Sequence, residues 1–229
     1  MKILVGCPTS DYKSYCLKEY AEAVKSLTYK NYDILLADNS KNNIYCKELD
    51  KYKLPYIKCK YEESARKRIV NSRNKLREYA LKNNYDYFLS LEQDVIPPKD
   101  IIERMLKWNK KVITGVYFIH NIMPDGKSHL IPLINILEEN KKTMRTLNHN
   151  ELWEHQLLKV FSCGLGCILI HKSVLEKIKF RYEKDIDTHD DRWFCIDLND
   201  NNIDLYCDNT IKCKHLIENR PWKWSQIKK

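Results

Sequence analysis

The sequence predicts an α/β protein with a mostly parallel sheet flanked by helices. Two short apolar runs open the chain, KILVGCPT at residues 2–9 and YDILLADNS at 32–40. Between them, Tyr20, Val24 and Leu27 fall on one stripe of a helical pattern. A strand, an amphipathic helix and a second strand form the repeating unit of parallel sheets, and such strands are buried on both faces.

The rest of the first half repeats this alternation. Pro98 fits the first turn of the helix predicted at 98–109, and Asp100 complements the N-terminus of that helix. In chain order, strands are predicted at 2–9, 32–40, 55–61, at the start of 86–98 and at 112–118, and helices at 11–29, 45–53, 64–82 and 98–109.

The pattern changes after residue 118. An irregular segment with Pro124, Asp125 and Gly126 is followed by the apolar run LIPLINIL (130–137) and by a polar stretch to about Asn150. A glycine-interrupted strand then leads into a helix in FSCGLGCILIHKSVLEKI (161–178). DDRWFCIDLNDNN (190–202) predicts a helix, and IDLYCDNTIKCKHL (203–216) predicts two short strands. We therefore expect one domain over residues 1–229, whose second half is an α+β continuation of the first.

Charge and composition narrow the class of protein. The chain has 229 residues, a net charge of +9 and a pI of about 9.0. A basic chain is compatible with nucleic-acid binding, with an anionic membrane surface, or with lysine usage that has no function. Lysines are spread along the whole chain with no basic arm, which favours the third interpretation. Anionic ligands, either sugar nucleotides or lipid phosphates, are a second contributor.

Nine cysteines, several of them in strand-like contexts, indicate a reducing compartment. Cys163 with Cys167, or Cys213 with His215, admits a zinc site, although no C-x-x-C pair exists; small buried hydrophobes are the favoured interpretation. No apolar run reaches the ~18 residues of a membrane span, and the N-terminus lacks a secretory signal pattern. A cytoplasmic protein is expected.

Two carboxylates follow the most apolar strand, in DYFLSLEQDVIPP (86–98). Glu92 and Asp94 would point to the same side of an extended segment and repel each other, unless a cation lies beside them. A divalent metal is one candidate, and two solvated loop residues are the alternative. Polar residues also end the first two strands, at 7–10 and 38–40, and open α/β sheets bind ligands at this edge. That context favours the metal.

Ordered motifs make the chain resemble the GT-A-type glycosyltransferases, most closely those of family 2. The motifs are CPT (7–9), ADNS (37–40), NSRN (71–74), LEQD (91–94) in the D-x-D position, the glycine-containing segment 161–178, DDRWFC (190–195) in place of the family's E-D motif, and a late histidine in KCKHL (212–216). The resemblance implies a GT-A-like, Rossmann-like fold. Residues 1–118 would form the nucleotide-sugar half and residues 119–219 the acceptor half.

The resemblance implies a site for Mn²⁺ or Mg²⁺. Asp94 would bind the metal directly, and His215 would be a second protein ligand. Glu92 would reach the ribose or a metal-bound water. Oxygen ligands suit such cations, and Mn²⁺ also accepts an imidazole. The alternative for His215 is a packed or surface histidine, and Glu92 departs from the aspartate that is commonest at its position.

Three further positions match the nucleotide-binding residues of the family. Asp38 would hydrogen-bond the uracil or ribose, Pro8 and Thr9 would contact the nucleotide, and Arg73 would lie near the diphosphate or base. Turn chemistry alone also explains the residues at 38–40. Arg73 shares one face of its helix with Arg66 and Arg77. The alternative is that this face is exposed to solvent and binds nothing.

DDRWFC supplies the implied catalytic acids. An acceptor hydroxyl must lose a proton as it attacks, and a carboxylate is the usual base. By the resemblance, Asp191 is the base and Asp190 the preceding acid. Both would also suit the first turn of a helix without any catalytic role. Gly164 and Gly166 would let the backbone approach the donor sugar, or they mark a bulge.

The function expected from the resemblance is a metal-dependent, hexosyltransferase-like transfer from a UDP- or GDP-sugar, with inversion. The acceptor would be a glycan, a lipid-linked molecule or a protein, and no nucleic acid is expected. The alternatives are a non-catalytic sugar-nucleotide-binding module and a basic nucleic-acid-binding protein.

The C-terminal tail RPWKWSQIKK (220–229) alternates aromatic and cationic residues. Trp222 and Trp224 with Lys223, Lys228 and Lys229 would allow a weak peripheral contact with an anionic membrane. The alternative is that the tryptophans pack on the domain while the lysines stay solvated.

Overall fold

The architecture comes from a computed structural model. It describes residues 1–122, 126–138, 143–148, 150–154, 156–218, 222–224 and 227. The strands are β1 (Ile3–Gly6), β2 (Pro8–Thr9), β3 (Tyr32–Ile34), β4 (Leu36–Asp38), β5 (Tyr56–Lys58), β6 (Tyr87–Leu91), β7 (Val95–Ile96), β8 (Val112–Val116), β9 (Phe118–Ile122), β10 (Ser128–Pro132), β11 (Ile134–Leu137), β12 (Met144–Thr146), β13 (Leu157–Val160), β14 (Ser162–Cys163), β15 (Cys167–His171), β16 (Leu205–Lys212) and β17 (Lys214–His215). The helices are α1 (Leu17–Lys25), α2 (Ile44–Lys51), α3 (Ala65–Lys82), α4 (Ile101–Leu106), α5 (Glu151–Glu154), α6 (Lys172–Lys177) and α7 (Asp190–Asp200), with a 3₁₀ helix at Asp11–Cys16.

A central sheet runs through the described residues in the order β13-β16-β8-β15-β6-β1-β3. β1 pairs in parallel with β3 and β6, and β16 pairs in parallel with β8. The antiparallel strands β13 and β15 come from the second half of the chain, so the whole sheet is mixed. The parallel pairing expected for the first half is present. A Cβ at Gly6 would lie 1.9 Å from the carbonyl oxygen of Leu35, so this close approach requires glycine.

Smaller sheets flank this one. β2, β4 and β5 pair in parallel and extend the first half toward the site. β9 and β10 form an antiparallel pair, β11 pairs with β12 and β14, and β17 pairs with β7. The segment predicted to be irregular therefore contains paired strands. Its turn residues Pro124 and Asp125 lie outside the described residues.

Hydrophobic cores cover both faces of the central sheet. Alternation along β1 sends Ile3 and Val5 to one core and Leu4 to the other. Tyr20 of α1 packs in the first core, and Leu76 of α3 packs in the second. Helices on both sides explain why these strands are apolar on both faces.

Several element boundaries differ from the sequence-based expectation. The helix predicted to begin at Pro98 begins at Ile101, because residues 98–101 form a turn in which Ile101 N–H donates to the Pro98 carbonyl (3.2 Å). The predicted helix 11–29 begins as a 3₁₀ helix and ends at Lys25. The two short strands expected within 203–216 are one eight-residue strand, β16, followed by the two-residue β17.

The described part of the C-terminal tail packs against the protein. Trp222 is buried, and its ring lies 5.3 Å from that of Phe118. The ring of Trp224 lies 5.1 Å from the same phenylalanine. Lys228 and Lys229, on which the predicted membrane contact also depends, lie outside the described residues. In the described part of the chain, no helix combines the length and the apolar character needed to cross a bilayer.

Candidate active site

Polar ends of neighbouring strands meet at one edge of the sheets. β1 leads into β2, which pairs with β4, and β6 lies beside β1. The Thr9 hydroxyl, at the end of β2, donates to the Gln93 side chain, which follows β6. Gln93 Nε2 in turn donates to the carbonyl of Lys13 at 2.7 Å. The structure thus brings together the strand ends that the sequence placed on one crevice.

The two acids after β6 face different cations. The strand ends at Leu91, and Val95 N–H donates to the Glu92 carbonyl (2.9 Å), so both acids lie in a turn. The extended geometry expected for this pair is therefore wrong, because residues 92–95 form a turn. Glu92 accepts a hydrogen bond from Arg73 (3.0 Å), and Asp94 accepts one from the Lys13 ammonium.

Arg73 is the buried centre of this site, with only 1% of its surface exposed. From α3, its Nη2 reaches Glu92, its Nε donates to Asp190 (2.8 Å), and its Nη1 donates to the Ser90 hydroxyl (2.5 Å). A guanidinium with its donors in a fixed fork can hold two carboxylates at once. Arg73 therefore connects the acids after β6 to the first turn of α7. Its neighbours on α3 serve elsewhere, since Arg77 donates to two backbone carbonyls near α6.

Asp94 and His215 lie side by side. His215 Nε2 is 3.3 Å from Asp94 Oδ2, and His215 Nδ1 is 2.7 Å from the carbonyl oxygen of Phe118. A carbonyl only accepts, so Nδ1 carries a proton. In the protonated ring Nε2–H donates to Asp94, and loss of that proton leaves an Nε2 lone pair on the same side. This is the arrangement of metal-binding histidines, whose second nitrogen commonly donates to a carbonyl.

The charge state of this pair is unusual. Burial raises the pKa of Asp94, but hydrogen bonds from His215 and Lys13 outweigh it and hold that pKa well below its usual range. Burial lowers the pKa of His215, but the Asp94 carboxylate and the Phe118 carbonyl raise it overall. The Asp94 carboxylate is thus ionised, as a metal ligand must be.

One atom of Asp94 has no partner. Its Oδ1 is buried and accepts no hydrogen bond from the described residues. Two ligands at neighbouring positions of an octahedral ion, each at about 2.1 Å, lie about 3 Å apart, close to the Asp94–His215 spacing. No group of three or more Cys, His, Asp or Glu side chains suited to a metal occurs among the described residues. The pair therefore fits an ion that takes its other ligands from a substrate and water.

The zinc alternative is not supported within the described residues. Cys213 Sγ lies 3.4 Å from Cys167 Sγ, whereas His215, two residues on, turns to Asp94. Burial raises the pKa of Cys207 well above its usual value, which keeps this neighbouring thiol protonated. All nine cysteines are buried and unpaired.

Asp190 and Asp191 begin α7 but differ in their partners. Asp190 is buried and held by Arg73. Asp191 is partly exposed, and its Oδ1 accepts a hydrogen bond from the Arg192 N–H (2.7 Å). Burial and the neighbouring Asp190 raise the pKa of Asp191. Of the two, Asp191 is the carboxylate that remains available to a ligand.

The residues expected to bind the nucleotide are differently placed. Pro8 is half-buried in β2, and the hydroxyl of the buried Thr9 also lies 3.2 Å from Tyr45 Oη. Asp38 is fully buried, accepts two hydrogen bonds from Ser40, and pairs with Lys58 at 2.7 Å. The turn chemistry of residues 38–40 is therefore present. Contact of Asp38 or Thr9 side chains with a nucleotide stays a prediction and requires these bonds to be exchanged.

Tyr117 and Lys13 were not anticipated from the sequence. The Tyr117 hydroxyl accepts a hydrogen bond from the Gly166 N–H (3.1 Å) and lies where a Cβ on Gly164 would sit, at 2.0 Å. The two glycines therefore make room for a tyrosine, which explains the glycine pattern without invoking a bulge. The glycines were the available signal, although they could not identify their partner.

The fold and this crevice define the class of protein. A mixed sheet flanked by helices on both faces, with an acidic motif after β6 and a second acid pair at the start of α7, is a GT-A fold. Residues 13–179 match the family described as Glycosyl transferase family 2, and the chain belongs to that family. No curated protein sequence matches the chain significantly.

Solved structures share the fold at low sequence identity. The crystal structure of A197 from STIV matches with a TM-score of 0.53 and 17% identity, covering 96% of this chain and 88% of that one. GalNAc-T7, solved with UDP, GalNAc and Mn²⁺, matches with a TM-score of 0.67 and 11% identity. That match covers 97% of this chain but 45% of GalNAc-T7.

Proposed function

We propose that this glycosyltransferase moves a sugar from a nucleotide-sugar donor to an acceptor hydroxyl, with a divalent metal and with inversion. The observation that carries the proposal is the link Glu92–Arg73–Asp190. It ties Glu92, which follows β6, to the first turn of α7. In this proposal the candidate metal pair and the Asp191 carboxylate, which follows Asp190, border one crevice, as a transfer between two substrates requires.

Asp94 and His215 are the residues that would hold Mn²⁺ or Mg²⁺. When bound, such an ion neutralises the charge that develops on a departing nucleoside diphosphate. The 3.3 Å spacing of Asp94 Oδ2 and His215 Nε2, and the hydrogen bond that His215 Nδ1 donates to the Phe118 carbonyl, support this assignment. The presence of UDP, GalNAc and Mn²⁺ in the related GalNAc-T7 structure agrees with it.

Residues 1–118 would bind the donor, a UDP- or GDP-sugar, and residues 119–219 would form the acceptor side. In this proposal Pro8, Thr9 and Asp38 border the nucleotide, and Glu92 reaches its ribose or a metal-bound water. Arg73 acts through Glu92, because its buried guanidinium holds the Glu92 carboxylate in place. The acceptor is a glycan, a lipid-linked molecule or a protein.

Asp191 would take the proton from the acceptor hydroxyl. It lies in the first turn of α7, its position is set through its neighbour Asp190, and burial raises its pKa toward the range of an effective base. Incubation with a panel of UDP- and GDP-sugars, with and without Mn²⁺, tests the function. Mn²⁺-dependent release of the nucleoside diphosphate is the expected result, and release from no donor would reject the proposal.

Asp94→Asn is expected to weaken Mn²⁺-dependent UDP binding at least about tenfold, a loss that even the outer partners of metal ligands cause. The amide keeps the shape of the side chain but lacks the charge. The residue lies in a turn, so the chain should stay folded. Calorimetric titration with UDP and Mn²⁺ measures the effect. Asp185→Asn, at an exposed carboxylate, is the matched control. Equal affinities for the two variants would remove Asp94 from the metal site.

We infer a reducing, cytoplasmic location from the nine buried, unpaired cysteines. For the tail, the packing of Trp222 and Trp224 on Phe118 favours at most weak contact with a membrane. We expect weak, salt-sensitive binding to anionic vesicles and none to neutral ones. Co-sedimentation of the full chain and of a chain ending at residue 219 measures this. Strong binding of the full chain to neutral vesicles would contradict it.

A further inference from the structure

The Lys13 side chain reaches Asp94, the candidate metal ligand, from the 3₁₀ helix Asp11–Cys16. Three hydrogen bonds hold that helix over the crevice. Gln93 Nε2 donates to the Lys13 carbonyl (2.7 Å), Tyr15 Oη donates to the Leu216 carbonyl (3.0 Å), and the Asp11 N–H donates to Ser40 Oγ (2.9 Å). About two thirds of the Lys13 side chain is covered, with 35% exposed. The ammonium is therefore placed by the fold and does not range over an open surface.

The two oxygens of Asp94 are used unequally. Oδ2 accepts from the Lys13 ammonium, lies 3.4 Å from Tyr15 Oη and 3.3 Å from His215 Nε2. Oδ1 has no partner among the described residues. An ion shared by Asp94 and His215 must lie on the Oδ2 side, because His215 Nε2 is there. The Lys13 ammonium contacts that same oxygen.

A divalent ion and an ammonium cannot share this oxygen without cost. Two cations within a few ångströms repel, and the repulsion grows where solvent is partly excluded. The Lys13 side chain also cannot serve as a metal ligand, because a protonated ammonium has no lone pair to give to a metal. The side chain must therefore leave Asp94 when an ion binds. It then needs a new anionic partner close by. Glu92, the other carboxylate whose charge acts on Lys13, already binds Arg73.

We propose that Lys13 is a resident cation that competes with the divalent metal for Asp94, so that the metal binds tightly only together with a nucleoside diphosphate. The negative charge of the diphosphate offers the displaced ammonium a new partner. Metal and diphosphate then strengthen each other's binding by the same factor, as linkage requires. The inference rests on the proposed function in one respect, the assignment of Asp94 and His215 as metal ligands.

Titration calorimetry of the full chain with Mn²⁺, alone and with saturating UDP, tests this competition. Lys13→Met is expected to bind Mn²⁺ alone at least about tenfold more tightly than the wild type. The factor by which UDP strengthens Mn²⁺ binding should fall in the same variant. Lys18→Met removes the same charge from an exposed position on α1 and should behave as the wild type.

Lys13→Gln is the second variant, because its neutral amide can still donate to Asp94 if the methionine variant folds poorly. It should show the same rise in affinity for Mn²⁺ alone. If neither folded variant binds Mn²⁺ alone more tightly than the wild type, the competition is overturned while the proposed function stands. If the wild type binds no Mn²⁺ even with saturating UDP or saturating GDP, the metal assignment fails and the inference fails with it.

Discussion

Asp191→Asn is expected to slow sugar transfer about 10²- to 10⁴-fold while donor binding stays nearly unchanged, the effect of losing a general base. Asp191 accepts a hydrogen bond at Oδ1 from the neighbouring N–H, and its Oδ2 has no partner among the described residues. An asparagine keeps the first contact but cannot take a proton. Product formation under saturating donor, compared with UDP affinity from calorimetry, separates the two effects.

Asp190→Asn is the matched variant one residue earlier. Asp190 is held by Arg73 and is buried, so its loss should disturb the position of Asp191 without removing the base. We expect a smaller loss of transfer than for Asp191→Asn. If Asp190→Asn proves the more damaging of the two, the roles within DDRWFC are reversed.

The pH dependence of transfer gives a second readout for Asp191. Burial and Asp190 raise its pKa above the ordinary aspartate value of about 3.9. A base acts in its deprotonated form. The rate of transfer should therefore be full at pH values above this raised pKa and should be lost as the pH falls through it. The acidic limb of the rate profile should therefore lie at higher pH than an ordinary aspartate would give, and it should be absent from the residual activity of Asp191→Asn. An acidic limb that persists in the variant would assign it to another group.

The sequence predicted the first half of the fold better than the second. Runs such as 2–9 and 32–40 are apolar on both faces, and helices on both sides of the sheet require that pattern. β15 was expected as a strand, but its antiparallel insertion between β6 and β8 depends on pairings with residues about 80 and 55 positions away. No local pattern encodes such a partner.

The candidate site shows the same division. The acids at 92, 94, 190 and 191 could be found because their types and order match a family, and the strand ends placed the first two at a ligand-binding edge. The contacts that Arg73 and Lys13 make with these acids could not be predicted. Arg73 meets Asp190 across 117 positions, and Lys13 meets Asp94 across 81. The contacts of Asp38 were not predicted either. One of its carboxylate oxygens accepts hydrogen bonds from Ser40, and the other accepts one from Lys58.

Arg73→Leu is expected to lower the free energy of unfolding by about 3–5 kcal/mol, because removing one partner of a buried ion pair leaves an uncompensated buried charge. Here the guanidinium is almost fully buried and holds both Asp190 and Glu92. Burial raises the pKa of Glu92, and the positive charge of Arg73 opposes that rise. Without Arg73 this opposition is lost. Urea unfolding followed by circular dichroism measures the change.

Lys75→Leu is the control for Arg73→Leu, because it removes a cation from the same helix. The Lys75 side chain is 60% exposed, and among the described residues it pairs only with Glu78 at the surface. Its effect should stay within about 0.5 kcal/mol. Adding Asp190→Asn to Arg73→Leu should restore part of the lost stability, because one buried charge no longer lacks its partner. If Arg73→Leu is no more destabilising than Lys75→Leu, the guanidinium does not hold α7 against the acids after β6. The placement of Asp191 on the crevice would then need another cause.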